Sequence, residues 1–384
     1  MKRQASVFLW LAAVAFGLTT HAAEPKSAME LGTNFWNPSW QRPDDCFRDV
    51  NNVTGDSPWN PQFLREIAVF RSFRFMDWDH TNGSTREKWT ERPKKTDAKQ
   101  SPVAYEWMVD LCNRSGADLW LTVPHRTVNH AMADRPSDYA LRLCLLVKTG
   151  VDMGEVDLTP LLGRISGMTA GDLIKAGGVR TGEPLHSNCR LYIEYSNETW
   201  NGAFKQSHYC CDEGLALKLD ENRWTAGFRF HAWAAIRVFR AADLVFGPDS
   251  PRLVKVLATQ SANPWIAGQH VKILPDPKHN PWKVKASAIA IAPYFGHGLD
   301  GAALDIVGQL TAAIHKSAEQ AAKHRQLADA AGLKLIAYEG GQHVTKNARA
   351  INTNPRMYDL YQRYLAAMSA HIGHFSHYCH AGRA

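Results

Sequence analysis

The sequence predicts a (β/α)8 barrel, and three observations carry that expectation. Eight short apolar runs punctuate the chain at 30–34, 73–78, 119–125, 191–196, 253–259, 287–294, 334–339 and 374–378. Longer stretches with helical periodicity alternate with them, at 61–70, 103–115, 137–147, 225–246, 304–331 and 355–372, with a shorter apolar segment at 265–274. Polar and ionisable residues collect where the apolar runs end, which is where a barrel of this kind builds its site. A doubly wound open sheet is the competing architecture.

Individual elements support the reading. In Ala288-Ile289-Ala290-Ile291-Ala292 small and bulky residues alternate, as they do when alanines face a crowded barrel axis and isoleucines face outer helices. Asn354-Pro355 has the form of a helix start and Gly332 that of a helix stop. Residues 152–188, rich in glycine, form an insertion expected to decorate the rim. Only a few residues, ending Gly382-Arg383-Ala384, follow the eighth run, which leaves no room for an eighth helix and reads as a fragment of a longer protein or as one unit miscounted.

Composition excludes several classes. At 384 residues, 45% hydrophobic and 21% charged, the chain is an ordinary globular protein. Lys2 and Arg3, the apolar run 7–18 and the small residues near Ala22 read as an export signal of about 23 residues. Residues 24–384 are then the barrel, secreted or periplasmic, and the apolar run is too short to serve as a membrane span. The net charge of +7 is spread without a basic run or motif, which argues against nucleic acid as a partner. The seven cysteines lack CxxC spacing, and Cys112 and Cys144 sit in expected helices as small buried residues. The 17 histidines show no HExxH or paired spacing, so neither a metal nor any other cofactor is expected.

The strand ends deliver Asn34, then Arg74 with Asp77-Trp78-Asp79-His80, His125, Asn197-Glu198, Gln260, Tyr294, Glu339-Gly340-Gly341 and His377-Tyr378-Cys379-His380. Glu198 and Glu339 follow the fourth and seventh strands, roughly opposite across a barrel mouth. Two opposed carboxylates are the minimum equipment for cleaving a glycosidic bond, one donating a proton while the other attacks or activates water.

Ser196-Asn197-Glu198 and Tyr338-Glu339-Gly340 resemble the acid/base and nucleophile segments of clan A, the large group of retaining glycoside hydrolases built on (β/α)8 barrels. The resemblance implies Glu198 as acid/base, Glu339 as nucleophile, and Asn197 as a ligand of the sugar 2-hydroxyl. It places Tyr294 as a hydrogen-bond donor to the nucleophile, with Arg74 and His125 holding the nucleophile ionised and contacting substrate. Retention requires carboxyls about 5–5.5 Å apart. Many clan members carry a tryptophan on the eighth strand, whereas this chain has His374-Phe375-Ser376-His377-Tyr378. No subfamily is recognised.

In this reading Glu198, framed by Tyr195 and Trp200, has a raised pKa and starts as the acid, while Glu339 stays ionised beside Arg74 and Tyr294. Glu194 points into the barrel and needs a buried partner, Arg74 or Lys255. Of 13 tryptophans, Trp36, Trp40, Trp59, Trp78, Trp200 and Trp265 fall in expected rim loops where rings stack on sugars, although half of such residues pack instead. The expected partner is thus a carbohydrate. Two further readings keep the barrel: an exo-acting glycosidase whose groove is closed by 152–188, and a binding protein without turnover. Sugar, linkage and oligomeric state are not legible in the sequence.

Overall fold

In the computed structural model, residues 28–35, 46–49 and 58–379 are described. The expected export signal, Trp36, Trp40 and His380 lie outside them. Eight parallel strands close on themselves: β1 (Glu30–Asn34), β2 (Ser72–Arg74), β3 (Asp118–Val123), β4 (Leu191–Tyr195), β5 (Leu253–Ala258), β6 (Ala288–Ile291), β7 (Lys334–Ala337) and β8 (His374–Tyr378). Closure is made by β8 against β1, in register from Glu30 opposite His374 to Asn34 opposite Tyr378.

Around the barrel stand α1 (Pro61–Ile67), α2 (Tyr105–Ser115), α3 (Asp138–Thr149), α4 (Lys205–Ala216), α5 (Arg223–Phe246), α6 (Pro264–Ile273), α7 (Ile306–Ala330) and α8 (Met357–Ser369). Local chemistry sets their ends. The Ser137 side chain accepts from the Ala140 amide at the start of α3, and Gly150, at φ +71, closes it in the left-handed conformation that glycine adopts without strain.

The barrel encloses its own apolar layer of Trp120, Tyr192, Val256, Ala258, Ala288, Ala290, Ile336 and Tyr338, separate from the larger core between strands and helices. Ala288 and Ala290 thus face the axis, while Ile289 and Ile291 face the helices, as the alternation predicts. Trp120 stacks on Tyr192 at 5.1 Å, filling the space those alanines leave.

Several strands end earlier than the sequence suggests, because the chain leaves the ladder at the mouth. After Arg74 the backbone turns through Asp77 and His80, both at positive φ, and after Ile291 Pro293 has no amide to give. Helix α4 escapes the periodicity reading. Its sequence, KQSHYCCDEGLA, has little apolar repeat, and it is held by close approach to α5, where a Cβ on Gly214 would stand 2.3 Å from the Ala226 carbonyl oxygen. Cys112 and Cys144 are buried in α2 and α3 as expected.

The insertion at 152–188 joins the C-terminal end of α3 to the start of β4 and packs along the outer flank formed by α2 and α3, reaching the loop after β2 at Arg92. Val151–Asp152 pairs antiparallel with Val179–Arg180. Arg142 of α3 donates to the carbonyls of Gly154 and Val156 at 2.8 and 3.0 Å, Thr181 donates to Glu106 of α2 at 2.8 Å, and Arg92 bridges Asp152 and Glu106.

Gly340 reports how tightly the mouth is packed. A Cβ there would lie 2.5 Å from a Phe375 ring carbon and 2.9 Å from the Tyr364 hydroxyl. Gly340→Ala is expected to destabilise the fold by about 1–3 kcal/mol through overpacking, measured by urea denaturation.

Candidate active site

Arg74, at the end of β2 and fully buried, is the centre of the site. Its Nε and Nη2 donate to the two oxygens of Glu194 at 3.1 and 3.0 Å, its Nη1 to Glu339 Oε1 at 2.9 Å, and its Nη2 also to Asn197 Oδ1 at 2.8 Å. The guanidinium lies 4.8 Å from the centre of the Tyr338 ring and 5.7 Å from that of Trp120. Burial opposes its charge, but Glu194 and Glu339 outweigh burial and hold it firmly protonated.

The expected Glu194–Arg74 pair is therefore present, and the same arginine still reaches Glu339. Trp120 Nε1 completes the Glu194 carboxylate at 2.9 Å. Lys255, the other proposed partner, faces outward and donates to Asp243 of α5 at 2.7 Å.

Glu339, two residues past β7, has a full set of donors. Oε1 accepts from Arg74 and from Asn34 Nδ2 at 3.0 Å, and Oε2 accepts from the Tyr294 hydroxyl at 2.9 Å. Burial and the adjacent carboxylate keep the Tyr294 phenol well above its usual range, so it remains a donor. Glu198 has a weaker set: the Asn201 amide donates to Oε2 at 2.9 Å and the Tyr338 hydroxyl to Oε1 at 3.3 Å.

Burial raises both carboxyls above their ordinary range. Glu339 is pushed up to about 7, with Arg74 opposing and the Glu198 charge adding. Glu198 is raised by burial against the donor Asn201, the Arg74 charge and the donor Tyr338. The two titrate as a pair. The proton they share belongs on Glu198, because both oxygens of Glu339 are already met by donors, one of them cationic, and a carboxylic acid hydrogen there would face them head-on.

The segment carrying Glu198 is strained. Ser196 and Glu198 have φ of +58 and +42, a region that non-glycine residues enter at a cost and that recurs at functional sites. Asn197 between them is fixed from several sides: its Nδ2 donates to Asn82 at 3.1 Å, and its carbonyl accepts from Gln206 at 2.9 Å.

Other expected residues fall differently. His125 is buried with its Nδ1 unpartnered and its ring edge-on to Tyr209 at 5.1 Å, and no hydrogen bond ties it to either carboxylate. Burial lowers its pKa to about 4. Tyr195 does not frame Glu198. It points to the helices, where its hydroxyl donates to the His125 carbonyl, and the ring beside Glu198 is Tyr338. Trp200 is half-buried with its indole nitrogen unpartnered. Trp59 and Trp78 are fully buried packing residues, and Trp265 is exposed at the start of α6. At the end of β8 the aromatic residue is Tyr378, edge-on to Tyr294 at 6.1 Å. Asn34, Asn82, Asn201, Gln206, Trp120 and Tyr338 were assigned no role from the sequence. The placement of Asn34 and Tyr338 at strand ends was the available signal for them.

No known family profile matches the sequence, and no curated protein matches it. Solved structures do resemble the fold. Against the GH51 arabinofuranosidase from Xanthomonas axonopodis pv. citri the TM-score is 0.52 at 11% identity, covering 92% of this chain and 66% of that one. Against the family 51 α-L-arabinofuranosidase from Bifidobacterium longum it is 0.50 at 15% identity, covering 85% and 57%. Against the α-L-arabinofuranosidase from Thermotoga maritima it is 0.48 at 12%, covering 92% and 64%. The first two likenesses carry the fold alone. The chain spans about three-fifths to two-thirds of the length of these enzymes. Among the described residues no group of three or more His, Cys, Asp or Glu could hold a metal ion, and no helix is long and apolar enough to cross a membrane.

Two outcomes follow. Arg74→Met, which leaves Glu194 and Glu339 buried without their cation, is expected to cost about 3–5 kcal/mol, read from denaturant midpoints. The proton that Glu198 and Glu339 share gives a pH signature. Burial holds it on the pair above the ordinary carboxyl range, so removing it destabilises the fold as pH rises from about 4.5 to about 7. Glu339→Gln takes away one of the two charges, so the Tm difference between the variant and the native chain should move in favour of the variant across that window and then level off. A difference independent of pH would refute the shift.

Proposed function

We propose that this chain is an exported glycoside hydrolase that cleaves a glycosidic bond with retention of configuration. The observation that supports this best is the pair of buried carboxyls after β4 and β7, given unequal donors within one electrostatic unit. Glu339 attacks the anomeric carbon as Glu198 passes its proton to the departing glycosidic oxygen, so one carbon–oxygen bond forms while the other breaks. Glu198, now ionised, takes a proton from water, which attacks the same carbon and releases Glu339. Asn197 Oδ1 is occupied by Arg74, which turns its Nδ2 toward Asn82 and the mouth, where a sugar hydroxyl would compete for it.

The bond cleaved is a β-glycosidic one or its stereochemical equivalent. Two barrels of similar shape carry α-L-arabinofuranosidase names, and an α-L-arabinofuranoside presents its leaving group in the same absolute sense as a β-D-glycoside. Aryl α-L-arabinofuranosides and β-linked gluco-, xylo- and mannosides are the first substrates to try.

On the substrate that is turned over, Glu339→Gln should lower kcat by at least about 10³-fold while retaining binding. Proton NMR of the first product should show the substrate's anomeric configuration retained. Inversion, or activity persisting in Glu339→Gln, would overturn the assignment, and absence of turnover across the panel would leave a binding protein.

A further inference from the structure

Behind the Glu198 segment, on the helix side of β4, three imidazoles are buried together. His231 of α5, His270 of α6 and His324 of α7 are each no more than 2% exposed. The rings of His231 and His270 lie 4.6 Å apart, and Tyr195 packs 5.8 Å from His231. Both nitrogens of His270, Nε2 of His231 and Nδ1 of His324 have no partner, and the hydroxyls of Thr259 and Ser261 are likewise buried and unpartnered. Burying unpaired polar atoms costs free energy, and leucine would fill such space more favourably, so stability does not account for the cluster.

The cluster's bonds lead to the mouth. His231 Nδ1 and the Thr199 hydroxyl are hydrogen-bonded at 2.9 Å, both buried, and His324 Nε2 donates to the Ser261 carbonyl at 3.1 Å in the loop after β5. Thr199 directly follows Glu198, whose backbone is held at φ +42. A residue kept in that region persists only where its surroundings over-determine it, and the Thr199–His231 bond is the tie from the helix layer at that point.

We propose that His231 is a positioning residue for proton donation, anchoring Thr199 to α5 and so fixing the direction of the Glu198 carboxyl. The inference rests on the glycosidase reading above. It separates the two carboxyls, since Glu339 is set from β7, Arg74, Asn34 and Tyr294 and owes nothing to His231. Loosening His231 therefore impairs protonation of the leaving oxygen and leaves nucleophilic attack intact.

Leaving-group dependence tests this. A dinitrophenyl glycoside departs without protonation, whereas a methyl glycoside or disaccharide of the same sugar needs it. Thr199→Val and His231→Leu should each lower kcat/KM, which reports the glycosylation step, by about 10- to 100-fold on the disaccharide and by less than about threefold on the dinitrophenyl glycoside. The double variant should be no worse than either single one, and His231→Asn, whose amide can take the place of Nδ1, should restore most of the rate. Equal losses on both substrates, additive losses, or no loss would each overturn the proposal. Should His231→Leu fail to fold by circular dichroism, Thr199→Val and His231→Asn decide. A native protein that turns over neither substrate, across the sugars named above, fails the glycosidase reading itself, which the variants' comparison does not.

Discussion

Arg74 is the constraint on which the rest of the site depends. Three carboxyls, Glu194, Glu198 and Glu339, gather around its one guanidinium in a nearly water-free mouth. Two of its five N–H groups make a bidentate bond to Glu194, and the others are shared among Glu339, Asn197 and Asn34. The charge balance then leaves an excess negative charge, which burial does not tolerate. The least costly remedy is one proton on the carboxyl with the poorest donors, which is Glu198. An acid and a base of the same residue type are thus set apart by counting charges around one arginine.

The two carboxyls also differ in what holds them. Glu339 stands two residues beyond a barrel strand and is met by groups from β1, β2 and the loop after β6, so the closed sheet itself fixes it. Glu198 stands in a turn after β4 with two residues at positive φ, and its donors are Asn201, three residues on, and the more distant Tyr338 hydroxyl. Its surroundings come from loops: Asn82 and Gln206 hold Asn197, and Gln206 also accepts from the Gly83 amide at 3.0 Å. The geometry of Glu339 is a property of the barrel, and that of Glu198 a property of what is built on it.

How much of this could be read from sequence follows the same division. Apolar runs and their period located all eight strands, because burial on both faces leaves a plain signature. The inward position of Glu194 and its need for a partner such as Arg74 followed from strand alternation, and the Tyr294–Glu339 bond from the clan resemblance. What escaped was set by tertiary contact. Helix α4 is polar and held by close packing at Gly214, Tyr195 turned out to face the helices, and His125 is withdrawn behind Tyr209. The side chains that complete the carboxylates, Asn34, Asn201 and Tyr338, are ordinary residues whose roles appear only when strands distant in sequence are brought side by side.

The flank insertion has a consequence for how this surface can change over evolutionary time. Its ribbon, short helix and turns are secured by Arg92, Arg142 and Glu106 to α2 and α3, and none of its described bonds reaches Arg74, Glu198 or Glu339. Length and composition there are free to drift, acquire another module or shrink while the chemistry at the mouth stays under separate selection.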